Sequence, residues 1–516
     1  MLYEFDVVVV GAGISGISTA YHLRTHCRGR TFAVLERRAA LGGTWSLMRY
    51  PGVRSDSDMY TFGFSWKPWT DGDIISPGHN ILRYLQEAVD ENGLRPHLRF
   101  GQDVVAASYA SRDARWRVST RAGDTYACQF LVMNTGYFSY ERPHKPWFPG
   151  QGAFLGRIVH PQQWDHPAPA VDYKGKRVVV VGSGATAATL VPALCDGGAK
   201  KVTMLQRSPT YFISRKRQQD RLYRWLRWAL GDGAAHAIKR AQVMLTSTVF
   251  YKFCMWDPER ARRMLVGDMR RQLPEACDAE THFNPAYGPW VQRLCLVPDG
   301  DFFAAIRSGR AEVVTGRIAR FTPRGVRVLP KTIRGHGAER EEVYAESGAE
   351  VDIAADIIVT ATGIEMQQNF PMSTVDVDVD GVAYDAPQHF VYRGCMLSDV
   401  PNFFFTMGYA NISWTLKADL VSRWLCALVN DCGEKSVAQC CPRRPPNDRS
   451  SSVQPEGTRF FDLDSGYLQR SAGRMPKQGA QQPWRLDQDV LRDYWRYHVE
   501  AFGGKELERV AMSSKL

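Results

Sequence analysis

Apolar positions along the chain gather into short unbroken runs, not into the alternation of a half-exposed sheet. Residues 6–10 are one acid followed by four valines, and the run stops at glycines. That is how a strand buried on both faces of a parallel sheet reads. A helical stretch follows, and residues 31–36 read as the next strand. The same grammar recurs at Arg177–Val181, a glycine-rich turn, a helix and residues 201–205. Two separate βαβ units predict an α/β fold with two doubly wound, Rossmann-like dinucleotide-binding domains. Residues 130–136 and 355–363 resemble each other, each being an apolar strand that ends in Thr-Gly. By analogy with folds of this kind, each closes one sheet and leads the chain across to the other domain.

Residues 215–274 depart from this pattern. They are rich in Arg, Leu, Trp and Met, with Leu222, Trp225, Leu226 and Ala229 at helical spacing. This predicts a helical insertion, over about 213–290, packed on the second domain. A basic amphipathic surface for peripheral membrane contact is the alternative. The first domain is expected over 1–140, the second over 141–380, and 381–516 should complete the first. Residues 441–457, rich in Pro, Arg and Ser, read as an exposed loop.

Composition narrows the partners. The 516 residues include 65 Lys and Arg against 54 Asp and Glu, a net charge of +11. The basic residues are dispersed and no nucleic-acid recognition module stands out, so the charge suits polyanionic cofactors better than nucleic acid. Eleven cysteines without a CxxC pair point to a reduced compartment, not a disulfide framework. No signal peptide precedes the first strand, and no uncharged apolar run approaches the roughly 20 residues that span a bilayer. The chain ends in Ser514, Lys515 and Leu516. In a eukaryote this tripeptide is an address read by the peroxisomal import receptor; otherwise a cytoplasmic location is expected.

Gly11, Gly13 and Gly16 form GxGxxG between a strand and a helix, and Glu36 ends the following strand. The glycines permit a tight turn, close approach of backbone to a pyrophosphate and close helix–strand packing. The helix N-terminus faces the phosphates, and the acid accepts from ribose hydroxyls. An acid there repels a 2′-phosphate, so the site suits FAD or NAD. Ser15, Thr44, Trp45, Asp56 and Val104 are assigned to the same cofactor.

Gly182, Gly184 and Ala187 repeat the motif as GxGxxA, with Ser183, Ala185 and Thr186 completing the turn. The next strand leads not to an acid but to Arg207 and Ser208, a change that accepts a 2′-phosphate and favours NADPH. The first site would then hold a flavin and the second would feed it hydride. A flavin disulfide reductase would need a cysteine pair soon after the first ribose acid, and no cysteine lies between Cys27 and Cys128.

Residues 154–165, FLGRIVHPQQWD, fit F-x-G-x-x-x-H-x-x-x-W-D through Phe154, Gly156, His160, Trp164 and Asp165. Residues 42–56, GGTWSLMRYPGVRSD, carry a second pattern. The chain thereby resembles the Baeyer–Villiger monooxygenases, class B flavoproteins. Residues 292–300, 408–419 and 476–486 are similar to the branch that includes an ethionamide-activating monooxygenase. The resemblance implies an FAD-dependent, NADPH-consuming monooxygenase that uses O₂ to turn a ketone into an ester or lactone and also oxygenates sulfides. It implies that Arg293 stabilises the charged intermediates and that Asp56 holds Arg293. Where many relatives carry Lys, this chain has Gln292, which bears on the strength of the NADPH preference. His160 reads as a hydrogen-bonding hinge residue, Trp164 as a packing anchor and Cys295 as a packed thiol. The alternatives are an S- or N-oxygenating flavin monooxygenase and a flavin-binding protein that does not turn over.

Overall fold

The structure, a computed structural model, describes residues 1–165, 169–218, 221–334, 341–346, 348–444, 465–499 and 504–511. Ser514, Lys515 and Leu516, and most of the expected loop at 441–457, lie outside the described residues.

The first sheet is built around Leu2–Val10, which pairs in parallel with Phe32–Glu36 on one side and Thr125–Met133 on the other. Leu98–Phe100 extends it beyond Phe32–Glu36, and Phe403–Phe405 joins the far edge of Thr125–Met133. Val7 and Val9 enter one apolar core with Phe130 and Val132, beneath the helices Ile14–His26 and Trp414–Glu434. Val8 and Val10 enter a second core with Leu131 and Met133. Both faces are covered, which is why these strands read as continuous apolar runs. The first half of Thr125–Met133 also carries an antiparallel extension through Arg115–Thr120 to Val104–Ala110, flanked by Asp376–Val379.

The second sheet repeats the plan. Arg177–Val181 lies between Lys201–Gln206 and Ile357–Thr360, with Arg157–Val159 outside the latter, all parallel. Ala311–Thr322 pairs with Lys201–Gln206 and continues into an antiparallel partner, Gly325–Arg334.

The two glycine turns are built alike. Gly11 N–H donates to Leu35 and Gly182 N–H donates to Leu205, each at 2.8 Å. Both sit at positive φ, +105° and +130°, and a β-carbon at either would come within 2.5 Å of a carbonyl oxygen, that of Asn134 or Ala361. Those carbonyls belong to the ends of the two Thr-Gly strands, which is the physical content of their likeness. Gly16 is tighter still, since its β-carbon would stand 1.8 Å from the Gly11 oxygen.

The insertion leaves through Phe212–Arg215, which pairs in parallel with Cys295–Pro298 on the return. Between them run Arg221–Trp256, broken at Gly231, then Pro258–Gln272 and Ala279–Phe283. Its inward face differs from the expected one. Tyr223 and Leu226 are buried, with Tyr223 edge-on to Tyr60 at 4.8 Å, whereas Leu222 and Trp225 face outward. No helix among the described residues is long and apolar enough to cross a membrane.

Replacing Gly16 with Ala forces the first helix off the strand turn. The expected outcome is a loss of about 2 kcal/mol or more, read as a lowered denaturation midpoint together with reduced flavin content after purification. An unchanged midpoint would show that the turn relaxes freely.

Candidate active site

A cavity of about 370 Å³ opens at the C-terminal ends of the first sheet's parallel strands, the place where open α/β sheets bind ligands. Gly11, Gly13, Ser15, Glu36, Thr44 and Trp45 line one part of it, and Val104, Asp56 and Arg293 line the rest. Gly16 lies behind the turn, where it sets packing and does not line this cavity. The helix Ile14–His26 starts at Gly13 with no side-chain cap, so its first N–H groups and positive dipole end face the cavity. A β-carbon on Gly43 would reach 3.0 Å from the Gly13 Cα, so two bare backbones face each other across the groove. Glu36 is buried, held by N–H groups of Ala12 at 2.8 Å and Arg38 at 2.9 Å. Asn134 Oδ1 and Gln367 Oε1 are buried without a partner among the described residues, and both side chains line the cavity. Backbone cradle, helix end, ribose-spaced acid and spare acceptors all fit an adenine dinucleotide with a polar ring system.

The second glycine turn meets the same cavity at its other end. Ala185 and Thr189, on the helix Ala185–Asp196, line it, whereas Gly182, Ser183, Gly184 and Thr186, the adjoining residues of the turn, do not. This helix too starts without a side-chain cap, and Gly184 and Ala185 are exposed. Ala187 is buried against the sheet. Ser183 Oγ donates to the Ser208 carbonyl at 3.1 Å, tying the turn to the end of Lys201–Gln206. Arg207 is exposed at that same edge and outside the cavity.

Arg293 stands where the two ends meet. Its Nη1 is 3.6 Å from Asp56 Oδ2, and Nη2 donates to the Tyr409 carbonyl at 3.1 Å. Burial disfavours its charge, but Asp56, with help from Tyr467 and Tyr137, more than offsets this and holds the guanidinium above its ordinary pKa. The side chain nonetheless keeps 38% of its surface open to the cavity. The Tyr409 segment is itself anchored. Its hydroxyl donates to Asp493 at 2.8 Å, and the buried Lys417 donates to the same carboxylate at 2.6 Å.

His160 is hydrogen-bonded through both ring nitrogens. Its Nδ1 accepts from Gln162 N–H at 3.2 Å, so Nε2 carries the proton and donates to the Gly363 carbonyl at 3.1 Å. Burial lowers its pKa to about 4. Trp164 is buried, edge-on to Tyr173 at 6.2 Å. Burial pushes the Cys295 thiol up to about 12, and all eleven cysteines are free.

Several residues of the site escaped the sequence reading. Trp414 donates to Ser15 Oγ at 2.9 Å and stacks on Tyr137 at 5.3 Å, and both rings line the cavity. Their signal lay in view: Tyr137 follows the first Thr-Gly and Trp414 lies within residues 408–419. Lys417 lies in that same stretch, whereas Asp493 carried no signal.

Two helices that start uncapped at glycine turns and meet one cavity, the first with a carboxylate ending the next strand and the second without, define a flavoprotein oxidoreductase with two dinucleotide sites. Residues 8–249 match the family model described as pyridine nucleotide-disulphide oxidoreductase. The FAD-containing monooxygenase EthA of Mycobacterium tuberculosis is 43% identical over 499 residues, covering 96% of this chain and 95% of that one. The probable FAD-binding monooxygenase AlmA of an Acinetobacter species is 40% identical over 494 residues, covering 95% and 93%. Among solved structures, an oxidised steroid monooxygenase bound to NADP matches with a TM-score of 0.75 at 22% identity, covering 98% of this chain and all of that one. Cyclohexanone monooxygenase from Rhodococcus bound to NADP⁺ matches with a TM-score of 0.67 at 22% identity, covering 86% and 87%. The chain belongs to the family of FAD-containing monooxygenases, and its fold is that of these monooxygenases of known structure.

Burial also lowers the pKa of His236 to about 4. A histidine whose folded pKa lies below its unfolded value of about 6.5 contributes stability that is intact above 6.5 and declines as pH falls toward the folded value. The denaturation midpoint is therefore expected to drop between neutral pH and about pH 4.5. The double variant His160→Gln/His236→Gln should show a shallower slope. A slope equal to that of the wild type would assign the acid lability elsewhere.

Proposed function

We propose that this enzyme is an NADPH-consuming Baeyer–Villiger monooxygenase that inserts one oxygen atom of O₂ beside a ketone carbonyl, giving an ester or lactone, and also oxygenates sulfides. The observation that carries the reading is Arg293, held between Asp56 and the Tyr409 carbonyl at the junction of the two glycine turns. FAD and NADPH, when bound, supply hydride transfer and oxygen activation.

The protein's own residues bind, orient and shield. Gly11, Gly13, Ser15 and Glu36 would hold the adenine end of FAD, with Thr44, Trp45 and Val104 along its length. Gly182, Ser183, Gly184, Ala185 and Thr186 would cradle the pyrophosphate of NADPH, with Ala187 packing the helix against its strand. Arg207, exposed beside this turn, and Ser208 would engage the 2′-phosphate. Gln292 adds no charge there, so Arg207 carries most of that discrimination. Arg293 presents a fixed positive charge to negative charge that develops as the substrate reacts, and Asp56 keeps it aimed. The boundary expected at 380 falls too late, because Asp376–Val379 pairs in the first sheet and Met366, Phe370, Met372 and Val375 pack in its second core. Residues 1–140, completed by about 366–516, are therefore assigned to FAD and 141 to about 365 to NADPH. The bacterial relatives favour a cytoplasmic enzyme over the peroxisomal reading of Ser514, Lys515 and Leu516.

Arg293→Ala is expected to retain flavin and lose ester formation by about 10²- to 10³-fold, measured by product analysis with a linear ketone. Undiminished ketone oxidation would remove Arg293 from the mechanism. An aryl sulfide assayed in parallel separates the reactions, since sulfoxide without any ester would make the enzyme an S-oxygenase. Flavin that stays oxidised under NADPH would make it a binding protein only.

Arg207→Ala should raise KM for NADPH far more than for NADH. Equal effects on both would show that Arg207 does not read the 2′-phosphate.

A further inference from the structure

The insertion turns unusual residues toward solvent. In the first turns of Arg221–Trp256, Tyr223 and Leu226 face inward, and the opposite face carries Arg221, Arg224, Trp225 and Trp228. Trp225 is 57% exposed and Trp228 84%. Beyond the break at Gly231 the pattern resumes. Ile238, Leu245, Val249 and Trp256 recur at intervals of seven, four and seven, which is one stripe of a helix about 27 Å long. All four are exposed, Trp256 to 80%. Amphipathic helices normally turn such a stripe inward; here the inward face is a different one, formed by Ala235, His236 and Lys239.

The helix Val490–Val499 continues the surface. Lys252 is 2.9 Å from Asp489 at its start, and Met244 and Tyr494 line one small cavity, so the two helices lie side by side. Leu491, Tyr494, Trp495 and Val499 are exposed there. None of the exposed apolar residues lines the active-site cavity.

We propose that this face docks on an anionic lipid membrane. Residues 221–272 hold eleven Lys and Arg against four Asp and Glu, and of the eleven Lys239 and Arg240 are spent on the inward side. Asp232 is already paired with Arg227 at 2.5 Å. Arg221, Arg224, Arg260 and Arg263 are exposed among or beside Trp225, Trp228 and Met264. Trp and Tyr concentrate at the depth of lipid headgroups, and Lys and Arg bind anionic ones, so the composition matches a helix lying in the interface plane. A second copy of the chain is the weaker occupant, because a two-fold contact would set one strongly cationic face against another.

The flavin-loaded, full-length protein is mixed with vesicles of phosphatidylglycerol and phosphatidylcholine, or of phosphatidylcholine alone, and floated on a density gradient. It is expected to float with the anionic vesicles, to shift its tryptophan emission to the blue, and to release at high salt. The variant Trp225→Ser/Trp228→Ser/Trp256→Ser should keep the wild-type rate of NADPH oxidation and lose vesicle partition by roughly tenfold or more. If that variant fails to fold, Arg221→Glu/Arg224→Glu, which keeps the tryptophans, should lose preference for the anionic vesicles. The proposal is overturned if the wild type does not float, or if folded variants float as well as it does. A wild-type dimer in light scattering that the triple variant converts to monomer also overturns it, and would make this face an interface between copies.

Discussion

The carbonyl oxygen of Asn134 lies where the β-carbon of any residue but glycine at position 11 would have to be. That close approach fixes how near the end of Thr125–Met133 comes to the first turn, and so where the helix Ile14–His26 begins. Its N–H groups, the strand bearing Glu36 and the segment bearing Gly43 all take their positions from it. Gly182 and the Ala361 carbonyl do the same for the second turn. With both turns placed, the cavity between them has little freedom left, and Arg293 is delivered to the gap by Cys295–Pro298, the strand just after it.

Charge inside the molecule is concentrated where separate segments meet. Arg293 is balanced by Asp56 and a carbonyl and Lys417 by Asp493, while Asp419 is hydrogen-bonded to His22 at 2.6 Å. Burial works against ionised Asp419, yet the hydrogen bond from His22 and the nearby Arg240 bring its pKa down to about 2. Arg240 also donates to the carbonyls of Tyr60 and Gly63, so the insertion reaches a polar junction of the first domain. Isolated buried charges are costly, and removing one partner of such a pair leaves the other stranded. These junctions therefore specify which segments meet more than they add to stability.

The glycine turns, the two central strands of each sheet and the ribose acid were legible in the sequence because each rests on local chemistry: a run of valines, a residue without a side chain, a carboxylate at a strand end. Arg293 and Asp56 were legible only through resemblance, since no spacing rule connects residues so far apart. Lys417 lay inside the resembling stretch 408–419 but nothing marked it out there, and Asp493 left no trace, being a single charge in a chain that has many. The insertion was recognised as helical, but its inward face only in part: of the expected stripe Leu226 is buried, whereas Leu222, Trp225 and Ala229 face outward and Tyr223 takes the inward place. The choice between stripes belongs to Tyr60, which sits in another domain. Asp376–Val379 joins the first sheet through alternating Asp and Val, a short signal that only its pairing with Val104–Ala110 makes meaningful.

The first sheet is split by the second. Its edge strand, Phe403–Phe405, and its covering helix, Trp414–Glu434, follow the whole second sheet in the chain. During synthesis the second sheet has all its parallel strands once Ile357–Thr360 has emerged, while Thr125–Met133 still waits with an unpaired edge. The order of translation thus runs opposite to the order of the motifs: the lobe that begins later is completed earlier, and the apolar edge of the lobe that begins first stays open until the ribosome has passed residue 405.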